Sequence, residues 1–365
     1  MRYLVADYCA NFACKCGSCR ANCCEGWPVV ISRDEYERMI SAPCSPEFEE
    51  QIKSALRLNF APGDDRYAHI VHDKKGRCLL QRPDGLCGLQ VELGEDVLPA
   101  VCRLYPRNRR CVSGVNECAL SLSCEAVAEQ LLSSREPLGF TDADIPEEPL
   151  FRVELSEEKY GECRRAAEIM GDRSLALPER FDLLGEEMFR CMERCDETDG
   201  KLDAIRLLYR LTAEYSGKNR VAGNLCRETI RCFGMEGKDK LSRSEAEVLL
   251  ARYAEVSEHA FLDGDAWPDT ADRLLVSHMF YNSFPHVGGT SDEERAFYGL
   301  CTVFAFTKFI YAGNFRYRSN RQDAADLLAS LGRLIEHSDF KYAAARFYRE
   351  FTERAPGCWR QLVRL

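Results

Sequence analysis

The stretch from Cys9 to Trp27 holds six of the chain's twenty cysteines, and two of them, Cys23 and Cys24, are adjacent. Thiolates at such short spacings can reach one metal ion or one cluster. They suit disulfides poorly, because neighbours in a chain rarely meet disulfide geometry and reducing compartments disfavour disulfides. The chemistry that this stretch predicts is therefore ligation of zinc or of an iron–sulfur cluster.

The spacing favours a cluster, with zinc as the alternative metal. Zinc sites usually combine two separated C-x-x-C pairs, and in this stretch only Cys16 and Cys19 form such a pair. Their partners would be single cysteines at long range, such as Cys78, Cys87 and Cys102, which clusters accept more readily. Later cysteines lose any motif-like spacing, and we interpret them as small buried hydrophobic residues. These are Cys163, Cys191, Cys195, Cys226, Cys232, Cys301 and Cys358.

The elements that position the cysteines are expected to be short and to form one cysteine-rich domain over residues 1–135. Ser32 to Glu35 has the pattern of a helical capping box, and Pro46 can open a second helix. Residues 61–100 carry turn signals between candidate ligands. Cys118 to Ser134 is predicted to be helical because its apolar residues recur at helical spacing.

The rest of the chain has a different texture. Acidic, proline-punctuated residues 136–150 indicate a linker, and residues 151–365 predict an all-α helical domain. The longest apolar run, Phe297 to Ala312, predicts a buried helix. His278 and His286 flank an apolar helix without a partner motif, and we interpret them as structural. The expected fold is mainly α, with a small irregular cysteine-cluster region packed on the helical domain.

Composition narrows the function classes. The net charge of −10 argues against a nucleic-acid partner, which would require a basic surface. Met1 to Ala6 is too short for the apolar core of a secretory signal, and no run reaches a membrane-spanning length, so we expect a cytoplasmic protein without a membrane partner. No phosphate-binding loop, dinucleotide fingerprint, nucleophile elbow or zinc-protease motif is present.

At this point an ordered set of landmarks becomes informative. They are F-A-C (12–14), Cys19, C-C-E-G-W (23–27), C-L-L (78–80), G-L-C (85–87), L-G-E (93–95), C-R-L-Y-P-R (102–107) and S-L-S-C-E (121–125). This order resembles the flagellin lysine-N-methylase family, whose cysteine region is similar to a broader group of zinc- or iron-chelating proteins. The resemblance covers about residues 8–132. Two departures stand out, since Cys16 is an extra cysteine and Glu125 stands where the family usually has proline.

The resemblance implies an iron–sulfur protein that methylates the ε-amines of flagellin lysines, with a [4Fe–4S] cluster and with S-adenosylmethionine as the methyl donor. The alternative function is a non-catalytic iron–sulfur or zinc-binding protein that serves in electron transfer or protein interaction. From the ordered spacing we predict that four of eight cysteines hold one cluster and that the others lie nearby. The eight are Cys14, Cys19, Cys23, Cys24, Cys78, Cys87, Cys102 and Cys124.

The chemistry of lysine methylation sets further expectations. The amine must lose its proton before it can attack a methyl sulfonium, and an apolar, aromatic slot would lower its pKa and favour the sulfonium cation. We expect an acidic entrance leading to such a slot at the junction of the two regions, with Asp142 to Glu148 and Met279 to Phe284 as the candidates for its walls. Trp27, Tyr105 and Arg107 are predicted to support the cluster region. The sequence leaves the catalytic base and the donor-binding residues open.

Overall fold

The computed structural model describes residues 1–20, 22–25, 29–190, 196–218, 222–260, 267–286, 293–315, 320–340, 343–344, 346, 348 and 358–365. Over these residues the chain is mainly α, as predicted. The strands, in chain order, are β1 (Arg2–Ala6), β2 (Val29–Ile31), β3 (Leu56–Gly63), β4 (Arg66–Ile70), β5 (Arg107–Val112), β6 (Val115–Leu120), β7 (Phe140–Asp144) and β8 (Phe151–Val153). The described helices are α1 (Arg33–Ser41), α2 (Pro46–Ala55), α3 (Gly88–Leu93), α4 (Ala100–Leu104), α5 (Glu125–Ser133), α6 (Glu157–Gly171), α7 (Leu177–Phe189), α8 (Glu197–Ser216), α9 (Ala222–Cys232), α10 (Arg243–Ala260), α11 (Trp267–Asn282), α12 (Glu293–Phe315), α13 (Arg321–His337) and α14 (Trp359–Arg364).

The chain divides into two compact units. One, the cysteine unit, comprises residues 13–107 and 124–126. The other, the helical unit, comprises residues 1–12, 108–123 and 127–365. These boundaries differ from the predicted division at residues 135 and 151, because the first strand and the β5–β6 hairpin pair within a sheet of the helical unit.

The cysteine unit is built on a three-stranded antiparallel sheet in the order β2-β4-β3, with α1 and α2 beside it. The predicted capping box is present, since the amide of Glu35 donates to Ser32 Oγ at 3.2 Å and the amide of Ser32 donates to Glu35 Oε2 at 2.8 Å. Pro46 opens α2, as predicted. The apolar faces of these elements bury a small core that includes Ile31, Met39 and Ile52.

A five-stranded sheet in the order β7-β1-β6-β5-β8 lies in the helical unit. Ser113 and Gly114, both with positive φ, form the tight turn between β5 and β6. The predicted helix over Cys118–Ser134 was therefore wrong in its first part, since β6 continues to Leu120 and α5 begins at Glu125. The predicted linker, residues 136–150, is likewise not free, because β7 pairs antiparallel with β1.

Beyond β8 (Phe151–Val153), the described residues of the C-terminal half are helices and their connections, which share one extensive apolar core. Helix α12 is central to that core. Residues Glu293–Asn314 are long and apolar enough to cross a membrane, yet 72% of their most apolar window is buried inside the protein. The predicted buried helix over Phe297–Ala312 is thus confirmed. Cys226, Cys301 and Cys358 are fully buried, as predicted, whereas Cys191 and Cys195 lie outside the described residues.

Candidate functional site

All eight predicted cysteine ligands belong to the cysteine unit. The described cysteines are present as free thiols. One group gathers around Cys23. Desolvation, followed by the charges of Cys87, Cys78 and Cys23, raises the pKa of the Cys102 thiol, and burial is the main cause that raises the pKa of Cys78 to about 11. The structure therefore brings together cysteines that are up to 79 positions apart in the sequence.

Backbone hydrogen bonds fix this group locally. The amide of Cys78 donates to the carbonyl of Cys24 at 2.8 Å, and Cys78 Sγ accepts from the amide of Leu80 at 3.4 Å. Cys87 precedes the first residue of α3, and Cys102 lies within α4. The amide of Cys24 donates to the side chain of Asn22 at 2.9 Å. Short elements, as expected, present thiols that the sequence keeps far apart.

A second group contains Cys14, Cys19 and Cys124. Burial is the main cause that raises the pKa of Cys19 to about 12, and the charges of Glu125 and Cys124 add to it. The carboxylate of Glu125 is fully buried and accepts from Lys15 Nζ at 2.5 Å and from the amide of Arg20 at 2.8 Å. Glu125, which departs from the family pattern, thus anchors the loop that carries Cys19.

The thiols in these groups are not tightly packed around one point. Among the described residues, no three cysteines have their sulfur atoms all within 4.8 Å of one another. The potential metal ligands that do meet this distance are those of Glu162, His286 and Glu293. Four thiolates on one zinc ion would stand about 3.8 Å apart, given tetrahedral bonds of about 2.3 Å.

Of the residues predicted to support the cysteine region, Trp27 lies outside the described residues. Tyr105 is half-buried at the end of α4, where its amide donates to the carbonyl of Val101 at 3.2 Å. It therefore follows directly on the helix that carries Cys102. Arg107 is exposed at the start of β5.

The helical unit contains a cavity of about 550 Å³. Residues at and after the end of α11, namely Met279, Phe280, Ser283 and Phe284, form one wall. Thus the stretch Met279–Phe284, which the sequence predicts as a wall of an aromatic slot, lines this cavity. The central sheet and α6 supply the opposite walls, and Phe140 packs against Phe280 with ring centroids 4.8 Å apart.

The other predicted wall, Asp142–Glu148, supplies none of the described lining residues. Its side chains are engaged elsewhere in the sheet region. Asp142 pairs with Arg2, and Glu147 Oε2 lies 2.9 Å from Arg109 Nη1. The acidic stretch begins in the edge strand β7 and contributes no wall to this cavity, so the acidic entrance stays a prediction.

A buried polar group lies at the base of the cavity. Arg110 and Glu117, each less than 5% exposed, are joined through Arg110 Nη2 and Glu117 Oε2 at 2.7 Å. Arg110 also donates to the carbonyls of Phe280 and Tyr281, which ties the sheet to α11. The Tyr160 hydroxyl donates to Glu117 Oε1 at 2.9 Å. Burial, then the Glu117 carboxylate, raises the pKa of the Tyr160 phenol.

Sequence reasoning missed this group for a physical reason. Arg110 and Glu117 meet only because a tight turn pairs β5 with β6, and Tyr160 comes from a separate helix. The dipeptide Ser113-Gly114 was the available signal, because Ser-Gly pairs mark turns; the flanking runs are poor in β-formers and gave no strand signal.

A second buried carboxylate was also missed. Glu336, at the end of α13, accepts from Ser121 Oγ and from the amide of Leu122 at 3.3 Å. Burial raises its pKa to about 7, and burial lowers the pKa of the neighbouring His337 to about 4. The small cavity of about 50 Å³ that Glu336 lines is too small for a substrate and suits at most one or two water molecules.

The described residues form a mainly α protein with a cysteine-rich unit and a helical unit that contains a cavity of about 550 Å³. A protein-family model described as FliB lysine N-methylase C-terminal domain matches residues 165–355, more than half of the chain. The chain belongs to the FliB lysine N-methylase family. No curated protein and no solved structure matches it.

The match is independent of the earlier resemblance, which rested on residues 8–132. Family membership is therefore supported by two parts of the chain that do not overlap. The matched region contains α11 and the C-terminal part of α6 from residue 165, which contribute part of the cavity lining, including Ala167, Met279 and Phe280. It does not include the cysteine unit.

Proposed function

We propose that this protein transfers methyl groups from S-adenosylmethionine to lysine ε-amines of flagellin, and that the cavity of the helical unit is where the transfer takes place. The observation that carries the proposal is the cavity itself, within the unit that the lysine N-methylase model matches. Its volume lies within the range of small-molecule sites, and its walls are largely apolar and aromatic with a few buried polar groups.

The lining suits the two demands of the reaction. An apolar wall of Met279, Phe280 and Phe284 would disfavour a charged ammonium and so lower the pKa of an entering lysine. Aromatic faces stabilise a neighbouring cation, which favours a sulfonium donor. The lysine lone pair then forms a bond to the methyl carbon while the carbon–sulfur bond breaks, and the product is a thioether.

The proton that the ammonium must lose requires an acceptor. Glu117 has the appropriate chemistry, because its carboxylate lines the cavity and is held by Arg110 and Tyr160. We assign Glu117 to accept the lysine proton, directly or through one water molecule, and Tyr160 to hold the carboxylate in place. Arg110 fixes the position of both relative to Phe280.

The cysteine unit fits a [4Fe–4S] cluster by its donor set. Cysteine thiolates are the usual ligands of such clusters, and each binds its own iron, so the ligands stand further apart than around a single zinc ion. The wide spacing of the thiols agrees with this. We propose Cys23, Cys78, Cys87 and Cys102 as the ligands, because the charges of Cys87, Cys78 and Cys23 all raise the pKa of the Cys102 thiol. Cys24 has the same three neighbours, but the side chains of adjacent residues such as Cys23 and Cys24 point in different directions, so we assign one of the two. When bound, the cluster would join the loops that carry these four cysteines.

The experiment is a methylation assay with purified protein, flagellin and labelled S-adenosylmethionine, read by mass spectrometry. Glu117→Gln and Tyr160→Phe should lower kcat by about 10²- to 10⁴-fold, the usual contribution of a positioned acid or base. Tyr209→Phe is the matched control, because its buried hydroxyl donates to the carbonyl of Met235 outside the cavity. Full activity of Glu117→Gln would remove Glu117 from the reaction, and absence of methyl transfer with any flagellin would reject the activity.

The cluster is tested separately. Anaerobically purified protein should show a broad absorption near about 400 nm and bound iron if a cluster is present. Each of the eight cysteines is replaced singly by alanine. Iron binding should be lost when Cys23, Cys78, Cys87 or Cys102 is replaced, and it should be retained when Cys14 is replaced. Stoichiometric zinc without iron would favour the alternative metal.

A further inference from the structure

A group of three potential metal ligands lies outside the lining of the cavity. His286 is fully buried at the turn that follows α11, and its Nε2 is 2.7 Å from Glu162 Oε2 on α6. Its other nitrogen, Nδ1, is 3.5 Å from Glu293 Oε1 at the start of α12. One ligand atom from each of the three residues can be chosen so that all lie within 4.8 Å of one another.

The charges of this group are not balanced within the described part of the chain. No lysine or arginine among the described residues forms an ion pair with Glu162 or Glu293, so two carboxylates flank a single imidazole. When Nε2 donates to Glu162, a neutral ring leaves the Nδ1 lone pair facing another acceptor. Nδ1 is buried without a hydrogen-bond partner. A buried polar atom in this condition is costly unless something fills the gap.

We propose that Glu162, His286 and Glu293 bind a divalent first-row metal ion. The metal would replace the proton between Nε2 and Glu162, so that Nε2 and one oxygen from each carboxylate supply three ligands and water completes the coordination. The ring proton would then lie on Nδ1, which faces Glu293. Ligands around such an ion stand about 3–3.5 Å apart, given bonds of about 2.0–2.2 Å. The Glu162 and Glu293 side chains are about one-third exposed and can rotate to close the remaining gap, whereas the buried ring is fixed.

The position of the site suggests what the metal does. It would join α6, the turn after α11 and the start of α12, and the first two of these carry the walls of the cavity. Cys163, next to Glu162, donates to the carbonyl of Ser283 at 3.5 Å, and the amide of His286 donates to the same carbonyl at 2.8 Å. The metal would therefore hold together the elements that form the cavity wall. This role is structural, and the metal would take no part in the methyl-transfer step.

The test uses Mn²⁺, because this hard ion prefers carboxylate and water over the many thiols of the chain. Free Mn²⁺ is counted by electron paramagnetic resonance in the presence of the full-length protein. We expect one site per chain whose affinity falls by at least about tenfold in Glu162→Gln and in Glu293→Gln. Glu294→Gln is the matched control, because Glu294 neighbours Glu293 but bonds to Tyr298 at 2.7 Å. It should bind Mn²⁺ like the wild type.

Thermal melting supplies an independent measurement, since a ligand that binds the folded state raises Tm. Mn²⁺ should raise Tm for the wild type and Glu294→Gln and have no effect on Glu162→Gln or Glu293→Gln. Equal binding by all four proteins would overturn the proposal, as would the absence of Mn²⁺ binding in the wild type. Neither result depends on an activity assay, so the proposed methylase function would stand or fall separately.

Discussion

The cysteine unit and the helical unit solve the problem of stability in different ways. The helical unit buries large side chains such as Phe181, Tyr215, Phe306 and Trp359 in one extensive core. The apolar cluster of the cysteine unit is small and depends mainly on side chains of the size of Ile31 and Met39. Because small cores rarely give a stable fold alone, domains of this kind usually need a metal or cross-links. The difference suggests that the thiols of the cysteine unit have a structural role besides any other.

The two units stabilise buried charge in the same way. In the helical unit, buried Asp272 accepts from both Arg173 and Arg180, and buried Arg273 pairs with Asp7 at 3.1 Å. In the cysteine unit the fully buried Glu125 pairs with Lys15 and Arg20, which are partly exposed, as Arg173 and Asp7 are. In either unit, loss of the partners would leave an uncompensated buried charge, which is costly.

If the cysteine unit binds the proposed cluster or metal, the largest effect should come from its removal. Stripping it with oxidant and chelator should unfold the cysteine unit, because metal binding in thiol-rich domains supplies on the order of 10 kcal/mol of folding free energy. Limited proteolysis with mass spectrometry should then show new cuts within residues 13–107 and continued protection of the helical unit. A cysteine unit that stays resistant after iron and zinc are gone would show that its small core is sufficient.

A substitution in the large core should destabilise the helical unit and leave the cysteine unit unaffected. Phe306 is fully buried with its ring 4.7 Å from that of Phe340, and Phe306→Ala should cost about 3–5 kcal/mol through lost burial and a cavity. Urea unfolding followed by circular dichroism should show an earlier transition of the helical unit, with iron content unchanged. Phe60→Ala, at a fully exposed phenylalanine of the cysteine unit, is the control and should change stability by less than about 0.5 kcal/mol. Loss of iron in Phe306→Ala would mean that the units are coupled.

Glu336 allows the pH dependence of the helical unit to be isolated. Its pKa of about 7 lies above the ordinary value of 4.5, because burial disfavours the carboxylate. Its contribution is therefore fully present below about pH 4.5 and is lost as the pH rises through 7, and it amounts to roughly 3 kcal/mol. His337, with a lowered pKa of about 4, acts in the opposite direction, since its contribution is lost as the pH falls from about 6.5 towards 4.

The substitution Glu336→Gln removes the pH-dependent contribution of Glu336 to stability and keeps that of His337. The difference in unfolding free energy between wild type and variant should shift by roughly 3 kcal/mol in favour of the variant between pH 4 and pH 8. Denaturant titrations at several pH values measure it, with Glu158→Gln, an exposed glutamate of α6, as the control. A difference that is constant across this range would show that Glu336 titrates as in the unfolded chain.

Local patterns were the part of this structure that the sequence predicted well. The capping box at Ser32–Glu35 and the apolar run of α12 depend on neighbouring residues, so they can be read without the rest of the chain. The five-stranded sheet could not be read in this way, because β1 pairs in parallel with β6 more than a hundred residues later. Each of its strands is short, and their pairing is set by tertiary contacts.

The candidate sites show the same difference between features that local sequence reveals and features that only tertiary packing creates. The cysteines were visible because their residue type and spacing are unusual. The Arg110–Glu117–Tyr160 group and the Glu162–His286–Glu293 group use common residues that only packing brings together, since Glu162 and His286 are 124 positions apart. Met279–Phe284 was predicted as a cavity wall from its aromatic composition, but an apolar helix end of this type is equally compatible with an ordinary core.

The smallest expected effects come from replacing a glycine by alanine, once in each unit. A Cβ at Gly332 in α13 would lie 2.6 Å from the backbone of Leu122 and Ser123, and a Cβ at Gly17 would lie 2.6 Å from the carbonyl oxygen of Asp84. Either backbone must move, which typically costs about 1–3 kcal/mol. For Gly332→Ala the cost should appear in the unfolding of the helical unit and leave iron content unchanged.

For Gly17→Ala a backbone displacement of the same kind should instead affect the proposed cluster ligands of the cysteine unit. Gly17 lies between Cys16 and Cys19, and its partner Asp84 precedes Cys87, so separating the two loops should lower iron retention without shifting the helical transition. Gly299→Ala in α12 has no atom within 4 Å of the added Cβ and serves as the control, with a gain of up to about 1 kcal/mol from helix propensity. If Gly17→Ala and Gly332→Ala affected iron and helical stability alike, the two units would share one cooperative transition, and the contrast between a ligand-stabilised unit and a core-stabilised unit would not hold.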